Sequence, residues 1–284
     1  MILTRILQFR SFLKRYDHLL TLPVIIGILI IFFWAITAIS VDYWQPYDPL
    51  AMVSRRLQPP SAKHLLGTDA LGRDVLSRTL HGARHSMPIA MSVVISAVTI
   101  GSLLGAVAGF SGKWLDGLIM RLVDVTLAFP PILLAMAVAA ALGPGLRNAG
   151  IAMVIVWWPI YARLMRAQAL EVRERDHVEA AIASGVSRTR LLFVHILPLC
   201  WTPVLINATM DFGQAVLLSA SLSFIGLGAK PPTPEWGSMI SEGATFFYYW
   251  WIALGPGLSI LMVVLGFNFI GDGLRDFLDP RTTD

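Results

Sequence analysis

The 284-residue chain has few charges: Asp, Glu, Lys and Arg make up 14% of it, against 56% hydrophobic residues. A soluble domain carries roughly 25% charged residues, so the composition excludes an ordinary water-soluble globule and points to a polytopic membrane protein. Cysteine is almost absent. The single Cys200 excludes an internal disulfide framework and a cysteine metal cluster, and reads as a small buried hydrophobe. No glycine-rich phosphate loop is present, so the chain has no visible means of hydrolysing ATP by itself. Neither a repeat of some tens of residues nor a low-complexity tract or soluble domain stands out. The net charge of +4 comes from basic residues scattered between apolar runs, which fits membrane topology better than nucleic-acid binding.

Long apolar runs fill the space that charge leaves. A bilayer core about 30 Å thick needs about 20 apolar residues of helix, and the uncharged gaps predict six spans. They run over 19–41, 86–112, 125–146, 148–161, 199–224 and 246–270. The fourth is short and is expected to continue past Arg163 and Arg166, whose long side chains can snorkel to the interface. With the amino terminus inside, the inner segments hold fourteen of the 22 Lys and Arg residues. Both termini are therefore expected in the cytoplasm, although the loop 42–85 holds six basic residues on the other side. The basic stretch with Arg5, Arg10, Lys14 and Arg15 also resembles a signal-peptide n-region, with Ala38-Ile39-Ser40 as a cleavage site; the length of the apolar run disfavours cleavage.

In the outer loop, Thr68 and Asp69 are placed to cap an amphipathic helix. Leu71, Val75, Leu76, Thr79 and Leu80 would share one side, and Arg73, Asp74, Ser77, Arg78 and His81 the other. Such a helix is expected on the membrane surface or the protein's outer mouth. A metal or catalytic reading of His64, Asp69, Asp74 and His81 competes with a solvated polar face, and the polar face is preferred. Inside the membrane, Asp211 is the most costly residue, and Asn207 and Gln214 share its helical face. That stripe can line a path or bond to a neighbouring helix. Arg121 and Asp124 are spaced for an intrahelical ion pair. Asn268 and Asp272 share a face near the inner end of the sixth span.

Residues 179–198, EAAIASGVSRTRLLFVHILP, combine small side chains with a turn signal. Gly185 suits a left-handed helix end and Ser187 can cap a second helix running into the fifth span, with Pro198 as a kink. A helix, a glycine turn and a second helix make a knob suited to a groove on a soluble partner; an ordinary loop with helical ends is the plainer alternative.

The spacing of EAA, Gly185 and Leu197-Pro198 resembles the EAA loop of ABC importer permeases, with His195 departing from the isoleucine usual there. LLGTDALGRDVLSR (65–78), MRLVDVTLAFPP (120–131), LSFIGLGAKPPTPEWG (222–237) and GDGLRDFLDPR (271–281) narrow the resemblance to the C-type, or second, permease subunit of the dipeptide, oligopeptide and nickel family. The resemblance covers nearly the whole chain. It implies an all-α, six-helix, type I importer permease in a bacterial inner membrane, with an N-terminal part over 1–85, a core over 86–276 and a tail over 277–284. It also implies a second permease subunit, two cytoplasmic ATP-binding subunits holding ATP and Mg, and an extracytoplasmic substrate-binding protein. No cofactor would sit in this chain. Glu179, Ala180, Ala181 and Gly185 would enter a cleft on the ATPase. Small peptides are the expected cargo; nickel chelates, glutathione and D,D-dipeptides are alternatives within the family. A secondary transporter would need related halves or further membrane carboxylates, and a membrane enzyme a convergent nucleophile or metal cluster.

Overall fold

The computed structural model describes residues 21–278. The basic amino-terminal stretch and the end of the tail, 279–284, lie outside the described residues. Among the described residues ten α-helices are formed: α1 (Leu22–Ser40), α2 (Val75–Ser111), α3 (Lys113–Leu127), α4 (Pro131–Leu142), α5 (Leu146–Arg173), α6 (Asp176–Ala183), α7 (Arg188–Arg190), α8 (Trp201–Phe224), α9 (Trp236–Thr245) and α10 (Trp251–Leu278). Among the described residues no strand forms beyond an isolated bridge between Thr68 and Asp74. Four helices, α1, α2, α5 and α10, are long and apolar enough to cross a membrane, and counting each of two bent pairs as one span gives six. This is a multi-pass membrane protein.

The bent pairs are where a run of apolar residues fails to be one helix. The expected third span divides into α3 and α4, which meet at 93°. Its sequence runs Phe129-Pro130-Pro131, and two successive prolines remove backbone donors and push the preceding residue out of the helical region. The fifth span bends by 56° between Arg188–Leu199 and α8. Pro198 lies at that bend, inside a 3₁₀ turn over Leu197–Leu199. The sixth span, expected over 246–270, is α10: it starts at Trp251 and continues to Leu278, and 236–245 form the separate α9.

The chain forms two compact units, one made of residues up to Pro88 with those from Thr209 onward, the other of Ile89–Ala208. In the first unit α1 packs on α10: a Cβ at Gly27 would lie 2.7 Å from the Gly266 carbonyl oxygen, so only hydrogen fits. Trp34 meets the fully buried Trp236 edge to face, with centroids 5.1 Å apart. Trp236 Nε1 donates to the Thr79 carbonyl at 2.8 Å. The buried Glu235 accepts from Ser86 Oγ at 3.1 Å and from the Ser238 amide at 3.0 Å, capping α9 while tying it to α2.

The loop before α2 departs most from expectation. Thr68 and Asp69 do not cap a helix. Residues 67–74 fold as a turn with left-handed Gly67 and Gly72, and Asp74 caps α2, accepting from the Ser77 amide at 2.8 Å. The supposed surface helix is the first part of the 37-residue α2. Most of its polar side is withdrawn from water: Arg73, Asp74, Ser77 and Arg78 are buried, as is Asp69 in the preceding turn, while His81 is half-buried with Nδ1 3.8 Å from Asp42. Asp69 accepts from the Leu71 and Arg73 amides and, at 2.6 Å, from Arg73 Nε, and Arg78 Nε lies 3.3 Å from it. Glu242 of α9 faces both guanidiniums at 3.5 and 3.9 Å. His64 Nδ1 lies 2.9 Å from Asp74 Oδ1. The charges are interior because they neutralise one another, a compensation invisible to an amphipathicity count. Among the described residues no group of three potential ligands converges on a metal position.

In the second unit, α3 and α4 pack on α5. Asp124 does not pair along its own helix with Arg121; it accepts from Arg163 Nη2 of α5 at 2.6 Å. Asp116 takes Arg166 Nη2, also at 2.6 Å. Arg163 and Arg166 thus tie α5 to α3, and α5 continues past both of them to Arg173.

Candidate functional site

After α5 the chain turns at Glu174 and Arg175 and enters α6. Two of its apolar residues face inward, Val178 at 0% and Ala181 at 9% exposure. Its other face is bare: Glu179, Ala180, Ile182 and Ala183 are exposed, Ile182 by 54%. Ala181, expected on the docking surface with Glu179 and Ala180, instead packs against its own chain. Apart from Ile182, the side chains over 180–184 are small and keep that bare face low in profile.

The helix stops through a defined hydrogen-bond pattern. The Val186 amide donates to the Ala181 carbonyl at 3.2 Å and the Gly185 amide to that of Ile182 at 3.0 Å. Those are the paired bonds of a Schellman ending, and Gly185 has the left-handed φ of +76° that it requires. A Cβ at Gly185 would meet no atom within 4 Å, so the backbone alone demands glycine, and the space above it is open. Ser187 starts the next turn, its Oγ accepting from the Arg190 amide at 3.4 Å. Leu191, Leu192 and Ile196 then bury one side of a π-wound segment, Leu191–Ile196. His195 lies half-buried within that winding, which widens the helix just before the bend into α8.

Nothing in this element resembles an active centre. It carries no nucleophile beside a base, only an exposed surface of small residues rimmed by Glu179, Arg188 and Arg190. It is a short helical segment joining two membrane elements. Sequence reasoning missed apolar contributors to the segment's surface, Ile182 with Phe193 and Val194, the last two 51% and 57% exposed. An exposed isoleucine among alanines carries no periodic signal.

Within the membrane, Asn207, Asp211 and Gln214 all fall in α8, four and three residues apart and hence on one face. Asn207 and Gln214 are exposed and Asp211 is half-buried. Asn207 Nδ2 donates back to the Pro203 carbonyl of its own helix at 2.8 Å. Cys200 is fully buried, its Sγ 3.2 Å from the Ile196 carbonyl oxygen.

Residues 101–284, which contain this element and all of α3 to α10, match the family model described as a binding-protein-dependent transport system inner membrane component. The chain belongs to that family. This permease is 50% identical over 229 residues to the dipeptide transport system permease protein of Alkalihalophilus pseudofirmus, covering 80% of the chain and 75% of the relative. It is 46% identical to the di/tripeptide transport system permease protein of Pseudomonas aeruginosa over 90% of the chain and 87% of the relative. It is 47% identical to the probable D,D-dipeptide transport system permease protein of Escherichia coli, over 83% and 80%. Among solved structures, the inward-facing MetNI methionine ABC transporter aligns with a TM-score of 0.58 at 18% identity, over 71% of the permease and 97% of that chain. That alignment establishes a common fold, the type I importer permease.

Proposed function

We propose that this permease forms half of the translocation pathway of an ATP-driven importer of small peptides, with a second permease subunit forming the other half. Two cytoplasmic ATP-binding subunits would hold ATP and Mg and drive the cycle, and an extracytoplasmic binding protein would deliver the peptide. The permease itself carries no cofactor and catalyses no reaction. One observation carries the reading: the bare, small-residue face of α6, closed by Gly185 and joined directly to α5 on one side and to the bend before α8 on the other. A partner that grips this face moves two membrane elements at once. Glu179 supplies a charge for a basic group on the ATPase, Ala180 and Gly185 allow close approach, and Ala181 holds the lever to the permease. The stripe of Asn207, Asp211 and Gln214 serves as polar wall of the path or as contact to the second permease.

The peptide cargo is supported by the relatives named above. A D,D-dipeptide is the second choice, supported by the Escherichia coli relative at 47% identity. Both termini lie in the cytoplasm in this reading. Cysteine labelling with an impermeant reagent in intact cells tests it: Ala62→Cys, on the exposed outer loop, should label, and Ser187→Cys should not. The native Cys200 is buried and leaves a low background. The decisive experiment reconstitutes the complex in vesicles and measures peptide uptake and ATP hydrolysis together. Uptake that depends on ATP and on the binding protein is expected; uptake driven by an ion gradient without ATP would overturn the assignment.

A further inference from the structure

Helices α2 and α5 touch along only part of their length. A Cβ at Gly101 would lie 2.3 Å from the Trp158 carbonyl oxygen and one at Gly105 2.2 Å from that of Ala162, so here backbone meets backbone. Towards the start of both helices the glycine series on α2 ends, and an open groove of about 590 Å³ takes its place. Ile89, Val93 and Ile100 of α2 and Ile151, Val154 and Ile155 of α5 line it. Ser92, also in the wall, donates its hydroxyl to the Ile89 carbonyl at 2.8 Å and asks nothing of an occupant. Arg147, in the first turn of α5, stands at one end, exposed and engaged by no other described side chain.

Three properties select what fits. From Ile89 to Ile100 the groove follows about 17 Å of helix. That is close to one leaflet of a hydrocarbon core about 30 Å thick. Its aliphatic walls would strand the N–H and C=O groups of a peptide without partners. A companion helix, about 10 Å across, seats most closely on small residues; the one glycine in the lining, Gly150, is already filled by Ile89, whose Cδ1 lies 2.7 Å from a Cβ built there, which leaves only Ser92 and Ser96 among branched aliphatic side chains. At the open end the exposed Arg147 guanidinium and the positive end of a 28-residue helix coincide, and both attract phosphate. We infer that this groove is a binding site for an anionic phospholipid, one acyl chain lying between α2 and α5 and the phosphodiester resting on Arg147.

The intact complex, as it purifies from membranes, tests this with a fluorophore on Ser96→Cys, at the groove wall. It is reconstituted in vesicles of phosphatidylcholine doped with either dibrominated phosphatidylglycerol or dibrominated phosphatidylcholine, whose chains quench on contact. Half-maximal quenching should come at about a fivefold lower fraction of the anionic lipid, as one basic residue near the surface implies. Arg147→Gln should abolish that preference and Arg147→Lys should keep it, while both retain ATP-dependent transport. Equal quenching by the two lipids in the wild type, or a preference that survives Arg147→Gln, would overturn the inference. So would efficient cross-linking of Ser96→Cys to a companion subunit with no quenching, which assigns the groove to a subunit contact.

Discussion

Two polar loops interrupt this apolar chain, and they are built in opposite ways. The loop before α2 takes Asp69, Arg73, Asp74 and Arg78 into the interior, where Asp69 faces both guanidiniums and Asp74 accepts from the Ser77 amide and hydroxyl. The segment between α5 and α8 leaves Glu179, Arg188 and Arg190 in the open and buries only Val178, Ala181, Leu191, Leu192 and Ile196. The first spends its charges on holding one shape. The second keeps its charges and its small residues available to something else. Polar composition alone therefore does not mark a docking surface; the test is whether the polar groups are already satisfied.

The comparison is broken most severely by removing one buried charge. Asp69→Ala leaves Arg73 and Arg78 buried opposite Glu242 alone, and should destabilise the first unit by about 3–5 kcal/mol. Glu179→Ala, on the open segment, should change stability by no more than about 0.5 kcal/mol. Thermal unfolding of the detergent-solubilised chain measures both, and similar losses at the two sites would erase the distinction drawn here.

Gly185→Leu is the next largest in its effect on stability and the largest on function. It forces a left-handed backbone on a branched side chain at a cost of about 1–2 kcal/mol. It also raises bulk above a surface that is otherwise flat. Insertion in the membrane should persist while uptake per ATP hydrolysed falls. Gly185→Ala carries most of the backbone strain and little of the bulk, so its ratio should lie nearer to wild type. If both variants kept a wild-type ratio, α6 would not be the coupling element.

A pH measurement sharpens the interior side. Burial, reinforced by the nearby Asp69 carboxylate, raises the Glu242 carboxyl above its ordinary value, against the opposing pull of Arg78 and Arg73. The folded state thus holds that proton more tightly than the unfolded one. Its contribution is complete below the ordinary carboxylate value and is lost as pH rises through the raised one. As pH rises from about 4, the ordinary carboxylate value, through the raised one, the wild type should lose stability relative to Glu242→Gln, which cannot titrate. A difference between the two that is constant with pH would contradict this account of Glu242.

The smallest effect is expected from Ser187→Ala. Its capping bond is long, 3.4 Å, and exposed, so about 0.5 kcal/mol is at stake, local to the turn. Hydrogen exchange of the Arg190 amide should quicken while the global unfolding midpoint stays in place.

Span number, helical class and the glycine turn at 185 were legible in the sequence because each rests on a local cause. Twenty apolar residues fit a bilayer, a glycine permits positive φ, and a serine can cap the residues that follow it. Pro130-Pro131 was legible too, yet the apolar run around it reads as one span because hydropathy is blind to backbone direction; only the fold reveals the 93° bend. The Arg121–Asp124 pair failed for a related reason. Helical spacing makes such a pair possible, but Arg163 approaches from another helix and takes Asp124. The polar side of residues 73–78 failed most completely, since an amphipathic pattern says which residues lie together and not whether that side meets water or countercharges. Ala181 turned inward although its neighbour Ala180 did not, and nothing in EAA distinguishes the two. Sequence alone determined the elements whose energetics are settled within a few neighbouring residues. Tertiary structure decided the partner of every charge, because an ion pair depends on what the rest of the chain brings within a few ångströms.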